Sequence, residues 1–394
     1  MTSSLFSGQL QALRSRSLYR QLREIGTAQG PQIELVGRQL VNFSSNDYLG
    51  LANDARLRAA AIATIEEFGV GAGASRLVSG TQSPHLRLER ALAQWKETES
   101  ALTFSSGYAA ALGTIPALVT PKDIIILDKL CHASLIDGAK LSGATLRIFP
   151  HNHLGKVESH LEWARRERPE ARILIMTESV FSMDGDVAPL RELIELKRRF
   201  DALLMLDEAH AVGVIGPNGR GLAAALGAGT EVDVQMGTMS KALGVSGGYI
   251  CGTRELVEWL INRARSFIFS TAQPPALAGA ALAAIKFLNS PAGEERRQLL
   301  ARKIELLHAT MPSSPLGFKP AISGSAILPW IVGDEQESLK ISRGLVEGGF
   351  LATAIRYPTV AKASARLRIT VTALHSDEQI RSLSEAMTRL RATR

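Results

Sequence analysis

The sequence predicts an α/β fold: a large domain with a mostly parallel central sheet, followed by a smaller C-terminal α+β domain. Three observations lead there. Short apolar runs alternate with amphipathic helical patterns through the middle of the chain, the rhythm of repeated strand–helix–strand crossovers. The chain has 394 residues, more than one ordinary domain needs, and 45% of them are hydrophobic, enough for a large core. Beyond Pro291 the pattern changes to a charged helix and isolated strands.

Taken in order, residues 1–45 form an N-terminal segment, 46–288 the large domain and 289–394 the small domain. Ser83 can cap a helix in which Pro84 suits the first turn, while Leu88, Ala91, Leu92 and Trp95 share one face. Strands are expected at Ile124–Leu127, Leu146–Phe149, Ile173–Met176, Leu203–Leu206 and Tyr249–Cys251. In the small domain a helix runs from Pro291 through Leu307. An apolar stretch follows at Ala326–Val332, then a helix near Ser338–Gly348 and a strand at Arg366–Val371.

Composition narrows the function classes. The only cysteines, Cys131 and Cys251, offer neither a disulfide framework nor a metal cluster and suit a reducing compartment. No run reaches the roughly 18 apolar residues of a membrane span, and Met1–Arg23 lacks the apolar core of a signal peptide. A cytoplasmic protein is therefore expected. The net charge of +7 comes from dispersed basic residues, a solvated surface rather than a tract for nucleic acid or a membrane.

Two motifs carry the chemistry. Leu203-Leu-Met-Leu-Asp207-Glu-Ala-His210 is an apolar strand ending in a carboxylate, with a histidine just beyond. Open α/β sheets bind ligands at that edge. Gly237-Thr-Met-Ser-Lys241-Ala-Leu-Gly244 sets a lysine among small residues and hydroxyls, which lets a flat ligand and its phosphate approach the backbone. A pyridine cofactor such as pyridoxal 5'-phosphate needs a carboxylate at its ring nitrogen, a lysine for the imine, and hydroxyls or amides for the phosphate. Asp207, Lys241, Thr238 and Ser240 supply that set. Ser105-Ser-Gly107-Tyr108 opens an alanine-rich helix whose free amides suit a phosphate. Asp128-Lys-Leu-Cys-His132 follows a strand and would lay His132 on the ring, and Glu178-Ser-Val-Phe-Ser182 follows the next.

Other signatures fail in context. Asp207-Glu-Ala-His210 also spells a helicase motif, but no Gly-x-x-x-x-Gly-Lys-Ser/Thr loop exists to hold a nucleotide. Gly244-Val-Ser246-Gly-Gly248 matches a hydrolase elbow, with His375 as a nominal partner, yet a strand follows it instead of a helix. Gly69-Val-Gly-Ala-Gly73 follows a helical pattern and lacks the final glycine of a dinucleotide loop.

With Asn42-Phe-Ser-Ser-Asn46-Asp-Tyr-Leu-Gly50 upstream, these motifs resemble the α-oxoamine synthases, a branch of fold-type I pyridoxal-phosphate transferases (aspartate aminotransferase-like), from about Arg20 to His375. The resemblance implies a decarboxylative condensation of an amino acid with an acyl thioester. Ser182-Met-Asp-Gly-Asp186-Val-Ala-Pro-Leu190 and Ala354-Ile-Arg-Tyr-Pro-Thr359-Val tilt it to the members acting on L-alanine and a pimeloyl thioester (coenzyme A or acyl carrier protein) in biotin biosynthesis. A sister activity, glycine C-acetyltransferase, stays open. By the same resemblance Lys241 is the imine lysine and base, Asp207 partners the ring nitrogen, His210 donates to the phenolic oxygen and His132 stacks on the ring. Ser182, Thr238, Gly107 and Tyr108 hold the cofactor. Arg368 grips the amino acid's carboxylate with Asn46 nearby, and Arg20 and Thr359 contact the acyl substrate. Ser270 and Thr271 would reach the phosphate of a neighbouring subunit in a homodimer. The Pro-x-Gly usual in the family after Thr-Val is here Ala361-Lys-Ala363.

Overall fold

The computed structural model describes residues 5–16, 18–316 and 324–392. The remainder of the expected N-terminal segment and small domain, residues 1–4, 17, 317–323 and 393–394, lies outside the described residues. The described residues form two compact units: 46–302 with 324–326, and 5–16 and 18–45 with 303–316 and 327–392.

The first unit is built on seven strands: β1 (Ser100–Phe104), β2 (Ile124–Asp128), β3 (Thr145–Phe149), β4 (Ile173–Glu178), β5 (Leu203–Asp207), β6 (Val234–Thr238) and β7 (Gly248–Gly252). Their order in the sheet is β1-β7-β6-β5-β4-β2-β3. From β6 to β3 all pairings are parallel, while β7 runs antiparallel to both β6 and β1. Helices cover the sheet, and β2, β4, β6 and β7 are buried along their whole lengths. The core includes Ile115, Leu127, Leu174, Met205 and Ile250.

This topology puts the carboxyl ends of β2, β4, β5 and β6 on one edge, so Asp128, Glu178, Asp207 and Thr238 end neighbouring strands. Two glycines let β7 fit there. A Cβ on Gly237 would lie 2.3 Å from the Tyr249 hydroxyl, and one on Gly248 would lie 2.4 Å from the Ser106 carbonyl. Each would demand a backbone shift, because close-packed interiors have no slack of that size.

Five strands match apolar runs in the sequence. β1 and β6 were not anticipated: Val234-Gln-Met-Gly-Thr238 has no continuous apolar run, and its Gln235 is buried because its amide donates to the Gly229 carbonyl at 2.9 Å. The helix expected to start from a Ser83 cap spans Ser83–Lys96 with Gln82 at the cap position. The Gln82 N–H donates to His85 Nδ1 at 3.1 Å, so the serine is displaced by a side chain one turn further on.

In the second unit, Gln32–Leu35 and Arg38–Asn42 form a hairpin that Phe350–Leu351 extends, and Ile327–Gly333 and Thr353–Ile355 flank Ala365–Thr370. Helix Glu335–Glu347 starts at the Asp334 cap, whose carboxylate accepts the Glu337 N–H at 2.7 Å. Ala363 holds a left-handed φ of 58°, the place in the sequence where the family's usual Pro-x-Gly has its glycine. Among the described residues, no helix is long and apolar enough to cross a membrane.

Candidate active site

A cavity of about 240 Å³ opens at the carboxyl edge of the sheet. It is lined by eight residues singled out in the sequence, Gly107, Tyr108, His132, Asp207, His210, Thr238, Ser240 and Lys241, together with Ser106, Ser134, Glu178, Ala209 and Met236.

Each side of the cavity is fixed locally. Ser106 caps the helix Gly107–Leu118 by accepting the Ala109 N–H at 3.0 Å. The amides of Gly107 and Tyr108 precede the first intrahelical bonds and form the electropositive end of that helix. Thr238 and Ser240 face each other at 2.6 Å between hydroxyls, and Thr238 donates to the Gly247 carbonyl at 2.7 Å. His132 caps helix Ala133–Ser142: its Nδ1 accepts the Ser134 N–H at 3.2 Å and lies 2.8 Å from the Ser134 hydroxyl. Burial lowers its pKa despite the neighbouring Asp207, and the ring is a neutral aromatic surface.

The floor of the cavity is acidic. Asp207 and Glu178 are both buried and are register partners on β5 and β4. Burial raises the pKa of Asp207, opposed chiefly by the charge of Lys241. Glu178 is pushed up to about 8 by burial and by Asp207, with Lys241 and the N–H groups of His132 and Ser182 opposing. Asp207 Oδ1 accepts the Ala209 N–H at 2.9 Å, which sets the plane of the carboxylate. A cationic ring nitrogen at Asp207, a covalent link to Lys241 and an anion at the Gly107 helix end match the donor and acceptor set, so the residues fit pyridoxal phosphate.

The other expected site residues are placed differently. Ser182 lies on the loop after β4 and bonds Glu178 through its backbone. Ser270 and Thr271 line a separate, very small recess with Arg76 and His85, and Thr271 bridges to Ser75. Asn46 Oδ1 accepts from the Tyr48 hydroxyl at 3.3 Å. Arg20, Thr359 and Arg368 belong to the other unit, where Arg20 and Thr359 are exposed and Arg368 is buried on Ala365–Thr370. Sequence reasoning passed over Glu178 as a site residue, although it ends an apolar strand as Asp207 does. It also passed over Tyr48, whose hydroxyl meets His210 Nδ1 at 2.6 Å.

His151 ties two loops of this edge together. Its Nε2 contacts Asp186 at 2.6 Å and its Nδ1 contacts Asp128 at 3.2 Å. Burial opposes its charge, but the two carboxylates override burial and hold its pKa up to about 10. Against an unfolded value of about 6.5, the stabilisation this charge gives is complete below about pH 6.5 and is lost as pH rises towards 10. His151→Gln should narrow its stability gap to wild type across that window. A gap in urea midpoint that is the same at pH 6 and pH 10 would refute the assignment.

Comparisons with known proteins show what the chain as a whole is similar to. Residues 38–387 match the aminotransferase class I and II family. An 8-amino-7-oxononanoate synthase of Geobacter sulfurreducens is 46% identical over 390 residues, covering 99% of this chain and 98% of that protein. One from Anaeromyxobacter dehalogenans is 46% identical over 372 residues, covering 94% and 92%. A serine palmitoyltransferase structure from S. paucimobilis with PLP and myriocin bound superposes with a TM-score of 0.91 at 28% identity, over 99% of this chain and 98% of that one. An 8-amino-7-oxononanoate synthase structure from Francisella tularensis gives 0.74 at 26% identity, over 90% and 98%. Such a match, nearly end to end in sequence and in fold, places the chain: it belongs to the class I and II aminotransferase family and, within it, to the pyridoxal-phosphate-dependent 8-amino-7-oxononanoate synthases.

Proposed function

We propose that this chain joins L-alanine to a pimeloyl thioester with loss of carbon dioxide and free thiol, giving 8-amino-7-oxononanoate for biotin synthesis. The observation that carries the reading is Lys241 and Asp207 on one cavity whose walls also offer a neutral His132 and a phosphate-binding helix end. Bound pyridoxal phosphate supplies an electron sink for the pair left on the amino acid's Cα.

The chain's residues do the rest. With the cofactor bound, the Lys241 amine would take the Cα proton of alanine and later return one. Asp207 keeps a proton at the ring nitrogen. His132 covers the ring, and His210 donates to its phenolic oxygen. Thr238, Ser240, Ser182 and the Gly107–Tyr108 turn hold the cofactor. Arg368 and Asn46 orient the alanine carboxylate, and Arg20 and Thr359 receive the acyl chain. Ser270 and Thr271 serve the site of a second copy in a homodimer, a reading supported by the exposed Val70, Leu77, Val78 and Phe269, apolar residues in or near the segments that hold Thr271 and its bridge partner Ser75. Two buried free thiols, Cys131 and Cys251, suit a cytoplasmic setting.

The test is product analysis by mass spectrometry after mixing holoenzyme with alanine or glycine and with pimeloyl- or acetyl-coenzyme A. The expected result is 8-amino-7-oxononanoate from alanine and pimeloyl-coenzyme A. Product from glycine and acetyl-coenzyme A alone would transfer the chain to the sister activity.

A further inference from the structure

His151 lies outside the cofactor cavity, yet it touches both segments that carry His132 and Ser182. Neither it nor the two aspartates it meets is among the residues lining that cavity. A ring nitrogen facing an ionised carboxylate can only donate, because the carboxylate has no hydrogen to give. Both nitrogens of His151 face carboxylates, Asp186 at 2.6 Å and Asp128 at 3.2 Å, so the ring is a cation with two directed bonds.

On one side, Asp128 ends β2 and is fully buried. Its Oδ1 also accepts the Leu130 N–H and its Oδ2 the Asn152 N–H, both at 2.8 Å. The turn set by these bonds leads directly to His132. On the other side, residues 180–187 close on themselves. Val180 and Val187 form a bridge, the Phe181 N–H donates to the Asp186 carbonyl at 3.0 Å, and the Gly185 N–H donates to the Phe181 carbonyl at 2.8 Å. Ser182 sits inside that closed loop, and His151 grips both of its flanks. It holds Asp186 through the ion pair and Phe181 through nearly perpendicular rings whose centroids are 4.3 Å apart. The Asn152 amide adds bonds to Asp186 at 3.2 Å and to the Val187 carbonyl at 3.3 Å. The two segments are therefore joined twice: within the cavity by Glu178, which accepts the N–H groups of His132 and Ser182, and outside it by His151.

We propose that His151 is a positioning residue for the cofactor, holding the His132 turn and the Ser182 loop from outside the cavity in the arrangement that pyridoxal phosphate needs. The inference deepens the proposed function and rests on its assignment of His132 and Ser182 to the cofactor. With the brace gone, the two segments must be ordered as the cofactor binds, and that ordering lowers the affinity. A brace serving only the fold would be equally strong with and without cofactor and would leave the affinity unchanged.

The measurement is the dissociation constant of pyridoxal phosphate, by equilibrium dialysis of holoenzyme, for wild type, His151→Gln, Asp186→Asn and the double variant. His151→Gln should weaken binding about tenfold. Asp186→Asn should weaken it less, because Asp128 still holds the ring, and the double variant should bind no worse than His151→Gln, because Asp186 acts through that histidine. If His151→Gln does not fold, Asp186→Asn carries the test, since its side chain is 44% exposed and the substitution keeps its shape. Losses that simply add in the double variant would overturn the inference. Wild type that never takes up pyridoxal phosphate would remove the reading of the cavity and this inference with it. Normally loaded wild type, with His151→Gln lower in urea midpoint but unchanged in dissociation constant, would remove the inference alone.

Discussion

Lys241→Ala is expected to lower turnover by about 10⁴-fold or more, the upper end of what one positioned acid–base group contributes. Losing the covalent anchor removes a second function from the same residue. The backbone around Lys241 is pinned: the Met239 N–H donates to the Gly247 carbonyl at 2.9 Å, and the N–H groups of Val245 and Gly244 close turns on Met239 and Lys241. Gly244 holds a φ of 69°, and a Cβ there would meet the Ala52 nitrogen at 2.5 Å. Truncating the side chain therefore leaves the loop in place and takes away only the amine. Without that charge, Glu178 and Asp207 lose the cation that counters their burial, so their pKa values should rise further. Activity near the wild-type rate in Lys241→Ala, measured on protein that still binds pyridoxal phosphate, would end the assignment.

How much of this was readable without coordinates depends on whether the signal is local. Asp207, Lys241, Thr238 and His210 are legible because strand-end carboxylates and small-residue loops are written in consecutive positions, and the parallel topology then gathers them at one edge. β6 is not legible, since Gln235 and Gly237 interrupt its apolar pattern and are explained only by the Gly229 carbonyl and the Tyr249 ring. The Gln82 cap was hidden for a similar reason: it depends on where His85 points. Tyr48 and His210 are 162 residues apart, and no spacing rule joins them. His151 is the same kind of case, a histidine whose charge is set by Asp128 at the end of β2 and by Asp186 beyond β4. Local chemistry was visible and the links between loops were not.

Asp207→Asn should cost about 10²–10³-fold in kcat, comparable to removing one preorganised group that stabilises developing charge. The substitution is nearly isosteric, and the amide oxygen can still accept the Ala209 N–H, now made to Oδ1 at 2.9 Å, so the strand end should keep its geometry. What changes is the charge. Asp207 is buried, and burial alone raises its pKa; a cation at Lys241 or at the ring nitrogen is what makes the ionised form tenable there. Bound cofactor and carboxylate thus stabilise each other's charged forms, and a neutral amide withdraws half of that pair. The ring nitrogen should then lose its proton at neutral pH, and electron withdrawal from the alanine Cα should weaken. Glu178, register partner of Asp207 and held up at about 8, should meanwhile ionise more easily, because the Asp207 charge is one cause of its elevation. That new carboxylate could offset part of the loss, so Asp207→Asn with Glu178→Gln should be slower than Asp207→Asn alone. The deciding observation is the protonation of the ring nitrogen, followed by 15N NMR of labelled cofactor. A ring nitrogen still protonated in Asp207→Asn would show that another group holds the proton and would take the central role away from Asp207.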